Sequence, residues 1–430
     1  MEKASARFIT FACLIGVSVA LHATKPSDTP AKNWAVLVAG SNGWGNYRHQ
    51  ADVCHAYQIL MRRGIPKENI ITFMYDDIAD NDYNPFKGEI YNNYEHKDVY
   101  AGVEIDYKGE EVTPEMFIRV MKADSELSAA GKKVLGSGPD DNVFVYFTDH
   151  GAEGLIAFPN GLLYARELNE TITYMYEHNL YKEMVLYIEA CFSGSMFEDI
   201  LPQNIRVFTT TAANPHESSY AAFCDDTVIT TCLADEYSYN WMVDTETHDI
   251  HRLSLQQQYC DVKDVTRNSH VMEYGDLSMG SLPIDQFQTH NLKKGGLAMN
   301  TVNTKPVHTK RSTTAHVFAL MKHAMEAKME EDHSVAMRKL HRIMQLGTIV
   351  KHLFDDIVAE VRKLPEPAEK PSSKLEQLLC FEKVFKVFQN NCFTIQQVPE
   401  VAQHVTQFHH LCRTGYQPDV IINSVMNMCT

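Results

Sequence analysis

A thiol and an imidazole stand at matching places in this chain. Cys191 follows the apolar run EMVLYIEA (183–190), and His150 closes a second run in the stretch VFVYFTDHGAEG (143–154). Runs of that length, rich in Val, Phe and Tyr, predict strands buried on both faces, as in the centre of a parallel sheet. Ligands of an open parallel sheet gather outside the carboxyl ends of its strands, so both residues fall where a site would form. A thiolate there can attack a carbonyl carbon while an imidazolium protonates the departing amine, which is the chemistry of a cysteine hydrolase. Gly151 and the main-chain N–H of Cys191 are candidate oxyanion donors, glycine giving a substrate carbonyl close approach. Spacing alone would equally suit a buried structural cysteine and a surface histidine.

The elements that must hold these residues alternate in type. WAVLVA (34–39) reads as a strand, GSNGWGNYRHQ (40–50) as a polar loop, and residues 51–63 as an amphipathic helix ended by Gly64 and Pro66. NIITFMYD (69–76) is a second strand, and Thr113 before Pro114 caps a helix. The runs ending at Phe147 and Ala190, then NIRVFTTTAA (204–213), complete five strands. Strands alternating with helices imply an α/β fold with a mostly parallel sheet flanked by helices. Periodicity stops near residue 290, where KKGGLAMNTVNTKPVHTKRSTT (293–314) reads as an exposed linker. Beyond it the chain reads as wholly helical: a long segment over 314–363, a Pro/Glu/Lys spacer (363–374), and a capping box of Ser373 with Glu376.

Residues 1–23 have the form of a signal peptide, with Glu2, Lys3 and Arg7 ahead of an apolar stretch from Phe8 to Leu21. That predicts the secretory pathway for a domain over 24–290, a linker and activation region over 291–372, and a helical domain over 373–430. Residues 310–430 hold 15 Lys+Arg against 13 Asp+Glu, and residues 1–309 hold 24 against 42. An acidic N-terminal part argues against nucleic acid or an anionic membrane as partner and makes the mildly basic tail its electrostatic neighbour. Cys380, Cys392, Cys412 and Cys429 read as two disulfides, with three pairings open. Cys54, Cys191, Cys224, Cys232 and Cys260 are odd in number, which leaves a thiol free. No CxxC pair or His-rich cluster has zinc spacing, so no metal or other cofactor is expected. Asn169-Glu170-Thr171 is a glycosylation sequon.

The motifs AGSNGWGNYRHQADVCHAYQ, MYDDIA, FTDHG, YIEACFSGSMF, TTAANPHESSY and LADEYSYNWM, in this order, resemble the caspase and hemoglobinase clan of cysteine peptidases. Within it they resemble the legumain family of asparaginyl endopeptidases, and the likeness runs from about Trp34 through the four-cysteine tail. The resemblance implies a caspase-like sheet followed by an all-α, disulfide-bonded prodomain. It implies Cys191 as nucleophile, His150 as general acid/base, Asn46 as the residue that orients the histidine, and Asp149 as a site of succinimide formation linked to peptide ligation. Arg48, His49, Glu189 and Asp235, with Ser218 and Ser219 along the wall, match the pocket for Asn, and more weakly Asp, before the scissile bond. Protein and peptide substrates, the chain's own prodomain as inhibitor, cystatin-like inhibitors, and a lysosomal, vacuolar or secreted location in an acidic compartment or gut lumen also follow from it.

A carboxamide offers one acceptor oxygen and one donor NH2, so a pocket that binds both ends needs a cation and a carboxylate together. Arg48 suits the oxygen, and Glu189 and Asp235 the NH2. An Asp substrate would set a further negative charge against those carboxylates until acid protonates it. One departure from the family pattern is Phe192, where a Glu usually follows the nucleophile; it bears on the neighbouring subsite. Eight of the 20 histidines lie in 310–430 and would charge between pH 7 and 5, when carboxylates also begin to lose their attraction for the tail. No Asn lies between Asn303 and Asn390. Self-processing is therefore expected at Asn300 or Asn303, with Asp332 second, and Lys310-Arg311 would suit a trypsin-like partner.

Overall fold

The computed structural model describes residues 31–290, 304–327, 329–371 and 373–429. The strands are β1 (Asn33–Ala39), β2 (Ile70–Phe73), β3 (Asn142–Thr148), β4 (Gly151–Ala152), β5 (Leu155–Phe158), β6 (Gly161–Tyr164), β7 (Glu183–Glu189), β8 (Val207–Thr211), β9 (Tyr220–Ala222), β10 (Ala234–Asp235), β11 (Met272–Gly275) and β12 (Lys310–Arg311). The main sheet has the order β11-β8-β7-β3-β1-β2. Its strands run parallel except for β11, which pairs antiparallel with β8 at the edge. The expected mostly parallel sheet is therefore present, with β3 and β7 side by side in full register, Asn142 opposite Glu183 through Thr148 opposite Glu189.

Strands with both faces buried divide the core in two. Phe144 and Tyr146 of β3 point into one layer, while Val143, Val145 and Phe147 point into the other. The first layer is closed by the helices α1 (Tyr47–Arg62), then by Trp241 and Tyr259 from helices described below, and the second by α2 (Pro114–Met121). Thr113 caps α2 as expected, its side chain accepting the Met116 N–H at 3.1 Å. After α3 (Ser125–Ala129), α4 (Ala165–Glu177) joins the second layer, and α5 (Glu236–Thr247), α6 (Leu255–Val265) and α7 (Asp285–Gln288) lie in the chain that covers the first.

The C-terminal region is helical as expected: α8 (Ser312–Glu326), α9 (Glu330–Val361), α10 (Lys374–Asn391), α11 (Val401–His404), α12 (Thr406–Thr414) and α13 (Pro418–Cys429). Two helices replace the single long segment, because Ala327 is extended. Ser373 caps α10. The four tail cysteines pair Cys380–Cys412 and Cys392–Cys429. A third bridge joins Cys224 to Cys232, and Cys54, Cys191 and Cys260 are free.

The stretch expected to be an exposed linker is partly docked. Lys310 and Arg311 form a strand against β9, and Ser312 and Thr313 are buried. The tail also shares an apolar cluster with the small β4-β5-β6 sheet, where Ala152, Leu155, Ala157 and Tyr164 meet Phe381, Val384 and Phe385. Among the described residues no helix is long and apolar enough to cross a membrane.

Candidate active site

The strand ends bring the two reactive side chains to one edge. The Asp149 N–H continues the β3–β7 ladder by donating to Glu189 O at 3.0 Å, so His150 and Ala190-Cys191 leave the sheet together. Gly151 is required by this closeness: a Cβ there would lie 2.4 Å from Cys191 O and 2.9 Å from Ala190 Cβ. Phe192 adopts a left-handed backbone (φ 57°, ψ 17°), a costly conformation for an aromatic residue that turns the chain sharply after the thiol. The Phe192 N–H donates to Glu217 O at 2.7 Å, which holds the turn.

His150 Nε2 lies 2.8 Å from Asn46 Oδ1, and Asn46 Nδ2 donates to Asn42 O at 3.0 Å. The second contact fixes the amide orientation, so Oδ1 must accept a proton from Nε2 and the His150 Nδ1 is left as the basic nitrogen. Cys191 Sγ sits 3.2 Å from Ser218 Oγ and 3.7 Å from Ser219 Oγ. Burial pushes the Cys191 thiol up. Burial, with Arg48 and the tail's His316, pulls His150 well below its ordinary value. As the chain stands, both groups are biased to neutrality.

Beside them lies a buried polar pocket. Arg48, on the first turn of α1, pairs with Asp235 through Nε at 2.8 Å. Glu189 Oε2 accepts from the Ser238 N–H and hydroxyl, each at 3.1 Å. Arg48 Nη2 and Glu189 Oε1 are buried and have no hydrogen-bond partner among the described residues. One donor and one acceptor are thereby left over, the two kinds of group that a carboxamide complements, with the Ser219 hydroxyl also close enough to Glu189 to lower its carboxyl. His49 bridges instead of lining: its Nδ1 lies 2.6 Å from Ser41 Oγ and 3.2 Å from Asp149 Oδ1, and its Nε2 lies 3.4 Å from Asp235 Oδ2. Asp149 is buried, which raises its carboxyl, and the carboxyl receives the main-chain N–H of His150. Donor atoms of His49, Asp149 and His150 lie within 4.8 Å of one another, and so do those of Asp244, His248 and Asp261 on α5 and α6, groupings that a divalent ion could bridge.

The tail enters this site as a strand. Lys310 pairs with Ala221 and Arg311 with Tyr220, antiparallel, and the Ser312 N–H donates to Ser219 O at 3.0 Å. Ser312 Oγ then reaches into the pocket, 3.3 Å from Asp235 Oδ1 and 3.3 Å from Ser219 Oγ. His316, one turn on, packs against Gly45, next to Asn46. Polar residues made this segment look like a linker, because its burial is bought by hydrogen bonds within the site and leaves no apolar period to read. Ser41, Asp52, Ser238, Ser312 and His316 were not singled out from the sequence. Only Asp52 carried a signal, standing one helical turn after Arg48.

Farther from the site, one expectation is corrected. Asn169 is not presented to a glycan: it is buried in α4, and its Nδ2 donates to Ala165 O and Met196 O, both at 2.7 Å. Helical periodicity, invisible in the sequon, turns it inward. Asn300 and Asn303 lie outside the described residues, and Asp332 is exposed in the first turn of α9.

Residues 33–290 match the model of the peptidase C13 family. The chain is 47% identical over 399 residues to the hemoglobinase of Schistosoma mansoni, covering 92% of this chain and 91% of that one. It is 40% identical over 437 residues to the legumain of Homo sapiens (97% and 98%) and 37% identical over 425 residues to the vacuolar-processing enzyme of Glycine max (90% and 83%). With a free thiol and an imidazole at adjacent strand ends and likeness over nearly its whole length, the chain belongs to the peptidase C13 family of legumain-type cysteine endopeptidases.

Proposed function

We propose that the protein hydrolyses peptide bonds on the carboxyl side of Asn, and of Asp in acid, through a thioester on Cys191, and that its C-terminal region keeps it latent until acid releases it. The observation that carries the specificity is the pair of unpartnered groups in the pocket, Arg48 Nη2 and Glu189 Oε1. A substrate carboxamide satisfies both, its oxygen accepting from the guanidinium and its NH2 donating to the carboxylate. An Asp side chain satisfies the second only when a proton lies between it and Glu189. Its cleavage is therefore confined to low pH.

In the reaction His150 takes the Cys191 proton and the thiolate attacks the substrate carbonyl carbon. The oxyanion is met by the N–H groups of Gly151 and Cys191. Collapse breaks the C–N bond, the proton on His150 goes to the leaving amine, and a thioester remains. Water, deprotonated by His150, then releases the acid and restores the thiol. Asn46 keeps the imidazole in the tautomer this needs.

Latency is supported by Ser312 in the pocket and by β12 along β9. Serine is too short to span Arg48 Nη2 and Glu189 Oε1, and α8 begins at the same residue, so the peptide after it is helical where a scissile bond must be extended. A lysosomal or vacuolar setting agrees with acid release and with the soybean relative's name. The same thioester could be resolved by an incoming amine, giving ligation. The Asp149 carboxyl beside the His150 N–H, the pair that closes a succinimide with loss of water, favours keeping that outcome in the assay.

The test is to hold the purified chain at pH 4.5 and assay matched fluorogenic peptides ending in Asn, Asp and Ala, with a Cys191→Ser control and a free-amine peptide as acceptor. Asn cleavage that arises with loss of the tail and is absent in the control is the expected result. No Asn cleavage after the tail has gone would refute the pocket assignment.

A further inference from the structure

A third carboxyl lies behind the pocket. Asp52, on α1, is fully buried. Its Oδ2 accepts the Asp235 N–H at 3.1 Å, and its Oδ1 accepts Asn92 Nδ2 at 2.7 Å. The Asn92 amide is itself fixed: Nδ2 also donates to Leu233 O at 3.0 Å, and Oδ1 faces His55 Nδ1 at 2.8 Å. His55 Nε2 lies 3.4 Å from Glu246 Oε2, and Arg62 holds Glu246 at 2.6 Å. Asn92 therefore presents a donor, and only a donor, to Asp52.

The ionisable groups facing this carboxyl are few. Asp235 comes from β10, Glu189 from β7 and Tyr146 from β3, with Cys54 on its own helix, while Arg48 and His55 of that helix reach Asp235 and Asn92 instead. Arg48 pairs directly with one of three buried carboxyls, Asp235. Three negative charges against one positive charge in a space without solvent cannot all be held, so the group shares protons and titrates together. Burial raises all three; repulsion from Asp235 adds to it at Asp52 and Glu189, whereas the Arg48 pair and the contact with Asp52 oppose it at Asp235.

We propose that Asp52 is a positioning residue for specificity: it anchors the main chain of Asp235, and its buried charge sets the pH up to which the pocket accepts Asp as well as Asn. Accepting Asp requires a proton between the substrate carboxyl and Glu189. The Asp235 N–H and Asn92 Nδ2 both donate to Asp52 and favour its ionised form against the burial that opposes it, and that charge helps to retain the proton and extends Asp cleavage toward neutral pH. Without that charge the proton leaves at lower pH and Asp is rejected sooner. This rests on the carboxamide pocket proposed above.

The test uses the full-length chain, acid-activated, as wild type, Asp52→Asn and Asn92→Ser, with matched Asn and Asp fluorogenic peptides from pH 3.5 to 7. The readout is the Asn-to-Asp ratio of kcat/KM against pH, which a loss of folded enzyme does not move. Asp52→Asn is expected to move the half-loss of Asp cleavage down by about half a pH unit or more, roughly a 3-fold rise in the ratio at fixed pH on that limb. Asn92→Ser, which removes the donor that favours ionised Asp52, is expected to move it the same way by less. If Asp52→Asn does not fold, Asn92→Ser decides. Ratio curves that superimpose on wild type, or shift upward, overturn the role of Asp52. A wild type that cleaves after neither residue overturns the pocket reading instead.

Discussion

Ser312→Asn should turn the docked strand into a substrate. The strand lies along β9 with its Ser312 N–H on Ser219 O and its side chain toward Asp235, as a residue before a scissile bond would lie. Serine makes two contacts of 3.3 Å there and leaves Arg48 Nη2 and Glu189 Oε1 unpaired. Asparagine supplies both missing partners. Hydrogen bonds to charged groups contribute about 1.5–3 kcal/mol each, so two should add about 3–6 kcal/mol. Against this, the start of α8 must open for attack. The first N–H groups of a helix have no intrahelical acceptor, so freeing a residue or two costs chiefly backbone ordering, about 1–2 kcal/mol each. At the midpoints of these ranges the balance favours scission by about 2 kcal/mol, roughly 30-fold over wild type. Intact mass and N-terminal sequencing of the acid-treated full-length chain should reveal a new terminus at Thr313, absent from the Cys191→Ser double variant. A variant that stays uncut at this bond, or that becomes more strongly inhibited, refutes the substrate-like orientation of the strand.

Three further outcomes are expected. His409 is buried, stacked on Phe381 at 3.6 Å and 2.6 Å from Glu153 O, and burial pulls it down to about 3. Docking therefore favours neutral imidazole: its contribution is whole above the ordinary value of about 6.5 and is lost as pH falls toward 3, the loss amounting to about 3 kcal/mol at pH 4.5. His409→Gln keeps a neutral donor and should hold the tail to lower pH, measured by size-exclusion chromatography of linker-cut protein; an unchanged release pH would sink this latch. Arg48→Lys loses the guanidinium fork and should lower kcat/KM for Asn peptides by about 100-fold or more, with equal loss for a non-Asn substrate counting against a pocket role. The Cys191 thiol, raised by burial under the tail, should be alkylated by iodoacetamide at lower pH once the tail is removed, and an unshifted pH–rate curve would show that the tail does not cause its inertness.

What the sequence made legible was apolar. Val143 to Phe147 and Met184 to Ile188 announced buried strands, and the residues just past them held the thiol and the imidazole. Caps were legible too, because Thr113 and Ser373 do their work within one turn. The start of α1 was missed because Arg48, His49 and Gln50 are buried polar residues, which break the apolar period. Asn169 was misread because a sequon says nothing of the helix face it occupies. The charge argument for tail docking reads part of the interface: Lys374 with Glu198, Lys386 with Glu167 and Lys322 with Asp225 do set cations of the tail against carboxylates of the acidic part. The best-formed ion pair across that interface, Arg166 with Glu382, sets the cation on the acidic part and the carboxylate on the tail, and the larger contact is apolar.

That interface bears on what processing can achieve. A cut at Asn300 or Asn303 falls before β12, so Lys310 to Ser312 stay bonded to the tail and paired with β9. A cut at Asp332 falls after α8, so the same residues stay bonded to the peptidase part. In neither case does breaking the chain empty the pocket, because Phe381, Val384 and Phe385 still pack on the β4-β5-β6 sheet or Ser312 still faces Asp235. On the proposed reading, cleavage and release are separate events, and release is what frees Arg48 and Glu189 for substrate. The titrating groups that could drive release lie on both sides of it: His409 on the tail, against Glu153 O, and the carboxyls of Asp52, Glu189 and Asp235 on the peptidase side, near Ser312. Linker-cut protein kept at neutral pH should therefore remain inactive toward Asn peptides and gain activity on acidification alone; activity at neutral pH on cutting would mean that the covalent link, and not the docked strand, enforces latency.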